Sequence, residues 1–219
     1  MEKVVLKRTS RIISGHPWIF SNELGTSPKG FEPGALVEVY AGTTPLGGIT
    51  PSGKDGAFFG IGYVNPQTLI AVRLLTRKKE EINAGFFKKR MLAALAYRQR
   101  FFKDADSYRA VYSEGDFLPG LIVDKYNWCV SVQMLTAGID RLGDMALEAI
   151  DEVWKPSAIV LRNDSTSRAL EGLALEKKIV KGSVESLPVI REGNTLFEVD
   201  PMAGQKTGFF LDQARNRAA

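Results

Sequence analysis

The first 76 residues alternate short apolar runs with turn residues. VVLK, ALVEVY at 35–40, PLGGIT at 45–50, AFFGIGYV at 57–64 and LIAVRLLT at 69–76 are separated by SPKGFEPG, TPSGKDG and VNPQ. Alternation such as Ile70, Val72 and Leu74 puts every second side chain on one face, and Gly/Pro punctuation at this spacing predicts a small β-barrel. HPWIFSNEL, 16–24, interrupts it and reads as helical. At 80–104 the period changes. Ile82, Phe86, Phe87, Met91, Leu95 and Phe101 recur near one helical face, while Lys88, Lys89, Arg90, Arg98, Arg100 and Lys103 fall mostly elsewhere. That pattern predicts a long basic amphipathic helix.

From 108 a second pattern begins. YRAVYSEG, GLIVDKY and WCVSVQML are strand-like runs joined by turns, a meander. A helix over 139–154 follows, its apolar side formed by Leu142, Met145, Ala146, Ala149, Ile150 and Val153, stopped before Pro156. SAIVLRND is another strand, and a short helix through SRALEGL starts with Asp164 or Ser165 as a competent cap. After a polar stretch at 176–186, PVIREG and TLFEVDP form a hairpin. The expected fold class is therefore mixed α and β: a small barrel over 1–76, a basic linker helix over 77–104, an α+β domain over 105–192, and a hairpin with a helix start over 193–219.

Composition narrows the class. With 44% hydrophobic and 10% aromatic residues the chain can bury real cores. No apolar run approaches the roughly 18 residues of a membrane helix, and MEKVVLKRTSR lacks the apolar stretch of a secretory signal. A single cysteine, Cys129, excludes an internal disulfide and suits a reducing compartment, so a cytoplasmic location without membrane attachment is expected. One histidine and one cysteine leave an all-protein zinc site implausible, and no metal is expected. The net charge of +4 is uneven. Residues 1–107 carry 16 Lys/Arg against 9 Asp/Glu, a net of +7, whereas residues 108–219 carry 13 against 16, a net of −3. A one-sided positive field suits a polyanion partner, although a solvated surface gives the same count.

Five stretches are candidates for chemistry. GITPSGKD, 48–55, nearly spells a phosphate-binding loop. However, Asp55 stands where a magnesium-binding Ser/Thr belongs, and the following residues are β-like rather than helical, so a hairpin turn is expected. GHPWIF sets His16, Trp18 and Phe20 beside Arg8 and Arg11. Its aromatics can seal the barrel, or with the arginines and the helix's Lys88 and Lys89 they can form a face for RNA. Cys129 lies in an alternating run with no partner to lower its pKa, a core thiol. SEGDFLPGLIVDKY gathers Glu114, Asp116 and Asp124 around a Pro-Gly turn, as acid/base pair, metal site, or turn and domain contact; the last is favoured. RNDSTSR, 162–168, places Arg162, Asn163, Asp164 and Arg168 at a strand-to-helix switch, where spacing alone does not decide.

Four stretches together carry a resemblance. KRTSRIISGHPWIFSNEL, SEGDFLPGLIVDKY, LRNDSTSRALEGL and GQKTGFFLDQARNR occur in the order they take in bacterial 23S ribosomal RNA (cytosine-5-)-methyltransferases, over essentially the whole chain. The resemblance implies an N-terminal PUA barrel that binds RNA, a central α+β domain, and a C-terminal Rossmann-like domain that binds S-adenosylmethionine and holds the catalytic cysteine. That last domain would begin just after QARNR, so no catalytic residue is expected here, and Cys129 matches no motif of the nucleophile. TLFEVDP and TGFFLD look like a hairpin around MAGQKTG, with Asp212 capping a helix that starts DQARNR. The resemblance implies that Gln205, Lys206, Thr207, Gly208, Phe210, Asp212 and Gln213 line or support the methyl-donor pocket. The expectation is the RNA-binding N-terminal and central portion of an S-adenosylmethionine-dependent rRNA cytosine-C5 methyltransferase. Alone it would bind structured, ribosomal RNA, hold no cofactor tightly and methylate nothing. An exposed docking face could drive homodimerisation. The alternative is a free-standing PUA-type RNA-binding adaptor.

Overall fold

A computed structural model gives residues 1–41, 56–102 and 105–218. The PLGGIT run, the GITPSGKD stretch and Lys103 lie outside the described residues. The first half builds a curled sheet from β1 (Glu2–Leu6), β2 (Trp18–Ile19), β3 (Ala35–Ala41), β4 (Phe58–Val64) and β5 (Val72–Thr76), with a short α1 (Ser10–Ile13) between β1 and β2. The strand order is β1-β3-β4-β5-β2; β1 runs parallel to β3 and the remaining pairs are antiparallel. Alternation in β3 sends Val37 and Val39 inward, where Val4, Leu6, Ile19, Val64 and Val72 meet them. Each such burial contributes about 1.5–3 kcal/mol.

HPWIFSNEL is not a helix. Trp18 and Ile19 pair with Arg73 and Val72 of β5, and Ser21–Glu23 is a single 3₁₀ turn closed by the Glu23 carboxylate accepting from the Phe20 amide at 2.8 Å. An aromatic and a β-branched residue beside an open strand edge favour pairing over local helix.

The outer side of this sheet does not face water. Ile61, Tyr63 and Leu75 belong to the large core of the second half. The Tyr63 hydroxyl donates to the Pro119 carbonyl at 2.9 Å and accepts from Thr136 Oγ1 at 2.8 Å. Its ring lies so close to Gly138 that an added Cβ there would sit 1.9 Å from the Tyr63 Cγ. Glycine is needed at that approach because nothing larger fits.

Asn83, whose Oδ1 accepts from the Phe86 amide at 3.0 Å, caps α2 (Ala84–Gln99). Phe86, Phe87, Met91 and Ala94 face the core, whereas Phe101, expected on the same stripe, lies past the helix end and is 63% exposed. A second sheet has the order β10-β9-β8-β7-β6. β6 (Ser107–Tyr112), β7 (Leu121–Tyr126) and β8 (Cys129–Met134) form the antiparallel meander. The expected single helix is two, α3 (Ala137–Arg141) and α4 (Gly143–Trp154), because Leu142 leaves helical geometry at φ −95° and ψ 13°. They carry the chain to β9 (Ala158–Asn163), parallel to β8.

After α5 (Ser167–Leu170), the stretch expected to be merely polar contains β10 (Glu176–Lys181), antiparallel to β9. It is an outer strand whose lysines shield an open edge, which is why its apolar signal is weak. Neither Asp164 nor Ser165 caps α5. Thr166 holds the cap position, the Asp164 carboxylate accepts from Arg162, and the Ser165 hydroxyl meets that of Ser167.

β11 (Val189–Glu192) and β12 (Thr195–Glu198) form the expected hairpin, turning at Gly193 with φ 58°. The boundary placed at 192/193 falls in that turn. The second hairpin, TLFEVDP with TGFFLD, does not form. Asp200 Oδ1 accepts from the amides of Met202 and Ala203, both at 2.8 Å, and curls the chain into successive turns. Asp212 caps nothing either; it lies in a 3₁₀ turn, Leu211–Gln213, ahead of α6 (Ala214–Ala218).

β8 and β9 are buried on both faces. Val130, Val132, Ile159 and Leu161 face the α2–α4 side, while Cys129, Ala158 and Val160 lie under Val184 and Met202. Strands covered on both sides lose the simple alternation.

Candidate functional site

The residues expected to meet RNA divide into three places. Arg8 and Arg11 are exposed and line a shallow hollow with Ser10, Phe20, Asn22 and Glu23. The Arg11 guanidinium lies 4.5 Å over the Phe20 ring and 3.9 Å from the Glu23 carboxylate. Lys88 is elsewhere, on the α2 surface, 2.7 Å from Glu152 of α4. Lys89, its neighbour, lines a different cavity. The helix therefore does not present its two lysines as one site.

His16 and Trp18 are half-buried between these places. Trp18 donates its amide to His16 Nδ1 at 3.1 Å, and the two rings stack edge-on at 5.4 Å. The Trp18 indole N–H is committed to Glu114 Oε1, 2.7 Å away and 96 residues along the chain. Trp18 is thus a seam between the two sheets rather than an open platform. Of the other carboxylates in that stretch, Asp116 accepts a two-pronged ion pair from Arg98, with Nη2–Oδ2 at 2.6 Å, and Asp124 is fully buried against Arg109. Each has its own cation, so they do not form an acid/base pair.

Beside the seam opens a cleft of about 450 Å³. Gly15 and Pro17 form one wall, the β5 end and Lys78 another, and Lys89, Arg90 and Phe117 a third. Phe117 is 64% exposed and has left-handed backbone, φ 58° and ψ 31°. Arg90 lies between the Phe86 and Phe117 rings, 5.2 and 5.3 Å from their centres, and donates to the Leu75 carbonyl at 3.3 Å. Sequence reasoning passed over Phe117, Lys78 and Arg90 as site residues. The signal was present as a bulky ring inside a Gly/Asp/Pro turn.

A larger groove, about 820 Å³, lies where β6 meets the β11–β12 hairpin. Tyr97, Phe102, Tyr112, Phe197, Arg109 and Arg217 are among its lining. The C-terminal set meets this groove at Asp212 alone.

Those C-terminal residues are mostly occupied with one another. Thr207 is fully buried, donating to Asp124 Oδ2 at 2.5 Å and accepting from the Tyr126 hydroxyl at 2.8 Å; the Phe209 amide donates to Tyr126 in turn. Burial, with the Asp124 charge beside it, pushes the Tyr126 phenol well above its usual range. The hydrogen bond to Asp124 raises Arg109. Lys206, at φ 55°, reaches over the Phe210 ring at 4.3 Å and donates to Asp212 at 3.3 Å, which holds the Asp212 carboxyl below the usual range. Gln213 donates to the same carboxylate, Gln205 is exposed, and Gly208 has φ 136°. A methyl-donor nucleotide needs a carboxylate free for its ribose and a Gly-rich turn entering a helix. Asp212, the carboxylate of this set, is engaged by Lys206, and the set has no Gly-rich turn entering a helix, so by itself it does not supply those two features.

Arg162 and Arg168 also serve structure. Arg162 donates to the carbonyls of Pro201 at 3.0 Å and Gly204 at 2.9 Å, and Arg168 to Asp140 at 2.8 Å and the Ala174 carbonyl at 3.0 Å. Cys129 is fully buried, and burial pushes its thiol from 9.0 up to about 12. Among the described residues no cluster of His, Cys, Asp and Glu is placed to hold a metal ion, and no helix is long and apolar enough to cross a membrane.

Comparison with known proteins adds what geometry does not. Residues 4–47 and 52–77 match the PUA-like domain family. Over 211 residues the chain is 35% identical to ribosomal RNA large subunit methyltransferase I of Shewanella denitrificans and 36% identical to that of Shewanella frigidimarina, covering 93% of this chain and 49% of each relative. A Streptococcus mutans protein provisionally described as a SAM-dependent methyltransferase superposes with a TM-score of 0.76 at 20% identity, over 99% of this chain and 53% of that one. The fold is shared at that identity. The chain spans about half the length of the curated relatives it matches.

Proposed function

We propose that this chain is the RNA-binding and central portion of a ribosomal RNA large subunit methyltransferase, with the PUA-like half gripping structured rRNA. The observation that carries the reading is the 35% identity to such an enzyme across 93% of the chain, both sheets included. A positive first half and exposed Arg8 and Arg11 on the PUA-like half support it. In this reading S-adenosylmethionine supplies the methyl group to cytosine C5 of the rRNA. The residues of this chain contribute RNA placement, and no step of the transfer is assigned to them.

The test is a titration of the chain with 23S rRNA fragments at two salt concentrations. Affinity should fall steeply as salt rises, since phosphate contacts release counterions. Replacing Arg8 and Arg11 together by Ala should weaken binding and flatten that dependence by about one unit of slope per lost phosphate contact. Binding absent at both salts overturns the reading.

A further inference from the structure

The cleft beside the Trp18–Glu114 seam combines three features that folding does not require together. Phe117 exposes 64% of its surface while its backbone sits in the left-handed region, a conformation costly for any residue with a bulky side chain. A glycine would hold that turn with less strain. The compensating contact, Arg90 against the ring, covers one side and leaves the other to solvent. Lys78 and Lys89 are both exposed on the cleft walls, and neither ammonium has a carboxylate partner among the described residues. The two acids in the lining are already engaged: Glu80 accepts from Thr76 Oγ1, and Glu114 from the Trp18 indole and the Ser113 hydroxyl. The cleft is therefore positive at its mouth and aromatic on one wall.

We propose that this cleft takes an unpaired nucleotide of RNA, its base stacked on the open side of Phe117 and its flanking phosphates on Lys78 and Lys89. A bare aromatic face beside cations suits single-stranded nucleic acid, because every base has a face to stack while a duplex keeps its bases covered. The cleft lies at the junction of the two sheets, with lining residues from both. The proposal rests on the RNA-binding reading above and adds a strand preference to it.

The experiment measures fluorescence anisotropy of the full chain with a fluorescein-labelled oligocytidine and with an RNA duplex of equal length. Phe117→Gly should melt no lower than the parent, since it relieves the left-handed strain. It should nevertheless lose about 5- to 150-fold in affinity for the single strand, the range of one lost base stack, with the duplex unaffected. Lys78→Ala with Lys89→Ala should weaken single-strand binding and reduce its salt slope. Arg8→Ala with Arg11→Ala should weaken both RNAs. If that arginine variant loses affinity while the Phe117 and lysine variants bind like the parent, the cleft assignment is overturned and the RNA-binding reading stands. Equal losses for strand and duplex in Phe117→Gly overturn base stacking. A parent chain that binds neither RNA overturns both.

Discussion

Thr207 donates its hydroxyl hydrogen to Asp124 across 83 residues of chain, and that bond fastens the C-terminal turns to β7 of the second sheet. Asp124 also accepts from Arg109, Nε to Oδ1 and Nη2 to Oδ2, both at 2.9 Å. A fully buried carboxylate with one strong cation and one hydroxyl donor is satisfied only while both remain. Asp124→Asn should therefore cost about 3 kcal/mol in urea denaturation, the lower end for breaking a buried ion pair. Thr207→Val should cost about 1–2 kcal/mol. The double variant should lose less than the sum, showing coupling of at least about 0.5 kcal/mol; strict additivity would mean the two do not act as one network.

Gly138 and Tyr63 set a second expectation. Gly138→Ala places a methyl group inside the Tyr63 ring, and overpacking of this severity costs about 3 kcal/mol or more. Tyr63→Phe keeps the ring and removes the bonds to Pro119 and Thr136, for about 1–2 kcal/mol. Equilibrium unfolding of both variants measures this, with the alanine variant the more damaged.

The Trp18–Glu114 bond is a hydrogen bond to a carboxylate in a half-buried position, which is worth about 1.5–3 kcal/mol. Trp18→Phe preserves the apolar body and removes the donor. Its loss should lie at the lower end of that range, because Glu114 keeps the Ser113 hydroxyl, and it should grow if Ser113 is also replaced by Ala. A Trp18→Phe chain as stable as the parent would reduce the bond to a surface contact.

Cys129 should react with Ellman's reagent only as fast as the protein opens. Burial raises its thiol from 9.0 to about 12 in the folded chain. A group whose folded value is raised contributes stability that is intact below the unfolded value and lost as pH climbs toward the folded one. Denaturation midpoints should therefore decline between about pH 9 and 12, and Cys129→Ala should shed part of that decline while leaving the midpoint's pH profile below 9 unchanged. Rapid labelling of the native chain at pH 8 would contradict this.

Much of the architecture could be read from the residues. The strands around Val37 and Val39, the Phe86–Met91 helix and the meander ending in Cys129–Met134 all follow period and punctuation. The losses have physical causes. Trp18 and Ile19 gave a helical pattern because local sequence does not show the open edge of β5 that captures them. β10 was masked by the lysines that protect an outer strand. The turns after Asp200 read as a strand because Phe209 and Phe210 are apolar, yet the amides of Met202 and Ala203 already had a carboxylate to bond. At the site, His16 lies between Arg11 and Trp18, 3.4 Å from the guanidinium and ring to ring with the indole at 5.4 Å. Lys88 and Lys89 were not separable without knowing where α4 lies, and Trp18's engagement with Glu114 is a long-range fact.

The seam made by Tyr63, Gly138 and the Trp18–Glu114 bond ties the two sheets together through close contacts. Whatever the first half grasps is held at a fixed offset from the C-terminal edge of the second, as in a jig whose jaws are cast in one piece. If the first half holds a folded RNA, as proposed, choice of a reaction point becomes a matter of length and angle, set by a tyrosine pressed on a glycine rather than by reading the chosen base. Loosening that joint by a single small cavity should blur position before it abolishes grip.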